Sequence, residues 1–234
     1  MNYSYDFASI PDYMIKIMTA FPVTLEILLI SLLISLLLGA AVAAGSLGRK
    51  PVIVAISRGY ISFMRGIPTL VLIFLLYLGL PQILQGCGVN ISSWNKMFFI
   101  IATLGLNTSA NMAEMMRAAY LAVDKGQLEA AYSVGMKGTT AFRRIIYPQA
   151  FGIAIPMLGN NIINLFKETS LAFTVGVIDI LGKARAITSA SYGANKLETY
   201  IATGIIFWIV CVALEQGSKY LEGVYTKGRK QAAS

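Results

Sequence analysis

The chain has 234 residues, of which 56% are hydrophobic and only 13% charged, with a net charge of +8. Soluble domains carry about 25% charged residues, so this chain cannot clothe a water-facing surface; disorder and disulfide scaffolds are excluded, and a polytopic membrane protein is left. The absence of histidine excludes Ser-His-Asp triads, HExxH metal sites and proximal-His haem, and two distant cysteines, Cys87 and Cys211, suit neither a thiolate metal site nor a disulfide.

At the N-terminus, Phe7, Ile10, Tyr13, Met14 and Ile17 recur every three or four residues, the pattern of an amphipathic helix on the outer membrane surface. No basic start or small-residue cleavage site precedes the first apolar run, so the segment does not read as a signal peptide. A helix crosses the hydrocarbon with about 20 apolar residues. The apolar runs predict five spans, at about residues 22–47, 64–85, 97–117, 148–170 and 198–221. Gly39, Ala40, Ala43, Ala44 and Gly45 allow close helix packing in the first. Tyr77, Trp94 and Trp208 read as interface anchors or packing residues. Thirteen Lys and Arg fall on the side of the loop at about 118–147 and the C-terminus, against six on the other. That asymmetry predicts an outside N-terminus and a cytoplasmic C-terminus, and explains the net charge without nucleic acid.

Two predicted spans carry polar stripes, which are costly in lipid and belong in a cavity or against another helix. Asn107, Asn111 and Glu114 share a face of the third, and Asn160, Asn164 and Glu168 a face of the fourth, with Asn161 and Lys167 beside it. Between these spans, Glu129 to Val134 forms a short helix with Ala130 and Ala131 as a smooth face, and Gly135 suits its C′ position. Those features alone fit a docking element or a solvated connecting loop. No G-x-x-x-x-G-K-[ST] loop is present; Gly176 to Lys183 comes nearest and misses the spacing and the hydroxyl. The chain therefore has no ATPase site, no catalytic residue and no metal or cofactor of its own.

Glu129-Ala130-Ala131, three residues, Gly135, nine residues, Ile145, one residue and Tyr147-Pro148 resembles the EAA loop of importer-type ABC permeases, with Tyr147 in place of Leu. Arg65-Gly-Ile-Pro-Thr69, Asn111 to Arg117, Asp124 to Gln127 and Asn164 to Leu171 resemble segments of the polar amino acid permeases. Ser191 to Tyr200 and the third-span text look most like permeases for L-cystine. The resemblance implies one all-α transmembrane domain, a type I ABC importer permease. Its parts are five transmembrane helices, an N-terminal interfacial helix and a cytoplasmic coupling helix. It also implies a bacterial inner or plasma membrane and alternating access. The implied partners are a second permease chain as homodimer, two ABC ATPase subunits holding ATP and Mg, and an extracytoplasmic amino acid-binding protein. Glu129, Ala130, Ala131, Gly135 and Arg143 are the expected ATPase-coupling residues.

An amino acid presents an α-ammonium and an α-carboxylate, and cystine two of each. Glu168, or Glu114, is expected at the ammonium; Arg65, Thr169 and Ser170 at the carboxylate; Asn111 and Asn164 along the path. Each has a rival role. Arg65 also fits a cytoplasmic anchor, Glu168 a gate at the outer rim, Glu114 a partner of Arg117 or of a basic loop residue, and each Asn an interhelical hydrogen bond. The rival functions are an ATP-independent secondary transporter, and the same permease class acting on arginine, glutamine or histidine.

Overall fold

The computed structural model describes residues 6–232, with side chains through Tyr225, and their regular structure is all helical, without a strand. Three of the thirteen cations above, Lys227, Arg229 and Lys230, lie outside the described side chains. The helices are α1 (Ile10–Met18), α2 (Phe21–Ser46), α3 (Pro51–Gly66), α4 (Thr69–Gly86), α5 (Lys96–Leu121), α6 (Lys125–Ser133), α7 (Tyr147–Thr169), α8 (Ile180–Ala190) and α9 (Lys196–Ala232). Prolines mark several starts: Pro11, Pro22, Pro51 and Pro148 stand in the first turns of α1, α2, α3 and α7, where a missing N–H costs no helix bond.

Among the described residues, α2, α4 and the stretch Lys196–Tyr225 of α9 are long and apolar enough to cross a membrane. Helices α5 and α7, of 26 and 23 residues, are long enough but carry the polar stripes.

The second expected span starts later than residue 64. Residues 64–66 close α3, Ile67 is extended (φ −106°, ψ 133°), and α4 begins at Thr69. Pro68 is the cause: it excludes the helical region for the residue before it and cannot donate a helix bond. Helix α3 itself fills a segment that reads as a cationic connection. It packs against α5, where the Tyr60 hydroxyl reaches the Ser109 hydroxyl at 2.7 Å and donates to the Leu106 carbonyl at 3.0 Å.

The N-terminal helix forms as expected but packs into the bundle. Ile17 is fully buried, and Ile10, Tyr13 and Met14 pack with the core against α8 and α9. The Asp6 N–H donates to Glu198 in the first turn of α9 at 3.0 Å, tying the start of the chain to the last long helix.

The core joins Ile27 of α2, Ile73 of α4, Leu104 of α5, Phe166 of α7 and Ile206 of α9. Helices α2 and α5 make the most extensive contact. A Cβ on Gly39 would lie 2.7 Å from Met112 Cβ and 3.0 Å from the Ser109 carbonyl, so only glycine permits this approach. Inside a bilayer, helix association draws on such close van der Waals contact rather than on expulsion of water.

Candidate functional site

The polar stripes of α5 and α7 meet. Thr108 and Asn111 from α5 and Asn161, Asn164, Lys167 and Glu168 from α7 line one pocket of about 260 Å³. Asn160, on the same stripe, is exposed and does not line the pocket. Asn161 turns its Nδ2 toward Met115 Sδ at 3.6 Å and Met112 Sδ at 3.9 Å, both weak acceptors.

Glu168 is held by a third helix. Asn107 Nδ2 donates to Thr69 Oγ1 at 2.8 Å, and that hydroxyl donates to Glu168 Oε1 at 3.2 Å. Thr69 opens α4 immediately after the Pro68 break, so the interruption places its hydroxyl against the carboxylate. The chain of bonds fixes the Glu168 head at the edge of the pocket, with Lys167 lining the same space.

The other expected site residues sit elsewhere. Thr169 is fully buried and its hydroxyl donates to the Phe166 carbonyl at 2.7 Å. The Ser170 hydroxyl donates to the Lys167 carbonyl at 2.6 Å. Neither lines the pocket. Glu114 forms a bidentate pair with Arg117, at 3.0 Å from Nε and 2.5 Å from Nη2, and Arg65 in the last turn of α3 acts on it electrostatically. The Glu114–Arg117 pair lies outside the pocket lining, and so does Arg65. Thr108, Asn161 and Lys167 line the pocket without being among the expected substrate contacts, and of these Lys167 is the charged one. Its signal was the three-residue step from Asn164, which sets it beside the stripe.

The expected coupling segment forms helix α6. Asp124 caps its start, accepting from the Gly126 N–H at 2.6 Å. It ends at Gly135, whose φ is +77°. The Gly135 N–H bonds the Tyr132 carbonyl at 2.9 Å and the Met136 N–H bonds the Ala131 carbonyl at 3.0 Å, which together make a Schellman end. Ala131 is buried, while Glu129, Ala130, Tyr132 and Val134 are exposed. The helix thus anchors by one alanine and presents the opposite face. Arg143, also exposed, lies in a single π-helical turn, Phe142–Ile146, that leads into α7.

Residues 35–223 match the family described as binding-protein-dependent transport system inner membrane component. The chain is 39% identical over 215 residues to the L-cystine transport system permease protein TcyL of Bacillus subtilis, covering 92% of this chain and 89% of that one. It is 30% identical over 217 residues to the arginine transport system permease protein ArtQ of the same organism, covering 93% and 95%. Its fold matches the crystal structure of an amino acid ABC transporter with histidines, with a TM-score of 0.83 at 31% identity over 94% of this chain and 98% of that one.

Proposed function

The chain belongs to the family of binding-protein-dependent transport system inner membrane components, and from that membership we propose that it is the permease subunit of an ATP-driven importer of polar amino acids, with L-cystine the leading substrate. The carrying observation is the α5–α7 pocket, which sets an acidic and a basic side chain around one polar space. An amino acid needs that pair. Glu168, positioned by Thr69, takes the α-ammonium, and Lys167 takes the α-carboxylate; Asn111 and Asn164 supply amide donors and acceptors between them. Cystine is preferred because TcyL is 39% identical over most of both chains.

In this reading α2, α4, α5, α7 and α9 span the inner membrane, and the exposed face of α6 docks in a partner ATPase. Two ATPase subunits, a second copy of this chain and an extracytoplasmic binding protein complete the importer. Closure of the ATPase pair draws the coupling helices together and turns the pocket outward, a rigid-body switch between two states.

Labelled L-cystine uptake tests this, in cells without their own cystine transport that express the chain with its ATPase and binding protein. Uptake should vanish with a hydrolysis-dead ATPase and resist excess arginine, glutamine and histidine. Glu168→Gln and Lys167→Met should each cut uptake about tenfold or more, since each removes a charge-assisted bond, while the assembled complex persists. Competition by a different amino acid discards cystine; uptake indifferent to the ATPase discards the importer.

A further inference from the structure

A second cavity, of about 540 Å³, opens between α2, α5 and α7. Its wall includes Ala44, Met116, Ala119, Phe142, Ala154 and Leu158, and no charged or amide side chain contributes to it. A zwitterion placed there would lose its hydration without replacement, so this slot is not a path for an amino acid. It suits a hydrocarbon chain.

The neighbouring residues suit something else. Phe142 lines the apolar slot, and the next two residues, Arg143 and Arg144, line a separate cavity of about 410 Å³ together with Thr139 and Thr140. One π-helical turn therefore sets a greasy space beside a space with two guanidinium groups and two hydroxyls. Rings mark the level at which this happens. Tyr120, Phe142, Tyr147, Phe151 and Tyr225 follow one another with centroid separations of 6.3, 6.3, 6.0 and 5.6 Å. Such aromatic rows collect where hydrocarbon gives way to headgroups. Arginine forks and hydroxyls just beyond that level match a phosphate.

We propose that the turn at Phe142–Ile146 holds an anionic phospholipid, one acyl chain in the slot beside Phe142 and Ala154 and its phosphate on Arg143 and Arg144 with the Thr139 and Thr140 hydroxyls. The site joins α6 to α7, so the lipid braces the segment through which motion of the loop reaches the pocket helix.

Native mass spectrometry of the full-length chain, alone and in complex with its ATPase subunit, tests it, with the protein delipidated in detergent and titrated with phosphatidylglycerol or phosphatidylcholine. The wild type should retain phosphatidylglycerol in preference. Arg144→Gln should reduce phosphatidylglycerol retention about fivefold and leave phosphatidylcholine unchanged, in line with the attraction of one surface cation for anionic lipid. Ala154→Phe should fill the slot and reduce both lipids; circular dichroism checks that each variant folds. Wild-type phosphatidylglycerol retention in Arg144→Gln overturns the proposal. If that variant also loosens the ATPase subunit, the basic cavity belongs to the ATPase and not to a lipid.

Discussion

Burial pushes the Asp179 carboxyl up to about 6, although it caps α8 by accepting from Gly182 N–H at 2.8 Å and Leu181 N–H at 3.3 Å. The residue is fully buried, and the desolvation of its charge outweighs the two bonds. The folded chain thus holds this proton more tightly than the unfolded chain, whose ordinary value is about 4. Its contribution to stability is greatest below about pH 4, falls as pH rises through the interval up to about 6, and is then constant. The loss amounts to about 2–3 kcal/mol across the window. Asp179→Asn keeps a capping oxygen and removes the charge. Its thermal midpoint in detergent should stand above the wild-type value at pH 7 and approach it at pH 4.5; a difference that does not change with pH refutes the assignment. Sequence gave no sign of Asp179, because burial of a single polar residue between two helices leaves no periodic trace. Glu168 was visible as the end of a four-residue series, whereas the division of Thr169 and Ser170 from the pocket depends on hydroxyls turning back to carbonyls one turn earlier.

At the scale of elements, apolar runs located the long helices because a membrane helix is a continuous hydrophobic stretch. They missed α3, which is amphipathic and cationic, and α8, which is short. The Pro68 break was readable as a proline but not as the device that brings Thr69 to Glu168, since Glu168 lies 99 residues further on. The end of α6 was legible, because a left-handed C′ residue is almost always glycine. Gly135→Val puts a β-branched side chain at φ +77°, which costs about 1–3 kcal/mol and should unwind the Schellman end. Nothing lies within 4 Å of a Cβ at that position, so the effect is on backbone conformation and not on packing. Uptake should fall at least tenfold while the amount of chain in the membrane fraction stays normal. Wild-type uptake by this variant would detach the shape of α6 from coupling.

At the scale of the whole molecule, the charge asymmetry predicts an orientation that we propose, and the structure alters the count behind it. Lys167 was one of six cations assigned to the outer side, but it lines the α5–α7 pocket and so says nothing about which surface is outside. Removing it widens the asymmetry in favour of a cytoplasmic α6 loop. The chain carries its own reporters of this arrangement. Cys87 is exposed, one residue beyond α4, in the connection that should face outward, while Cys211 lies within α9. A membrane-impermeant maleimide added to intact spheroplasts should label Cys87 and leave Cys211 unmodified. In a Cys87→Ser background, Ser133→Cys at the end of α6 should react only after the membrane is opened. Labelling of Cys87 that also waits for permeabilisation would invert the topology. Arg143 and Arg144 would then face the outside, and α6 could not reach a cytoplasmic ATPase, so a single thiol decides whether α6 stands where the proposed coupling demands.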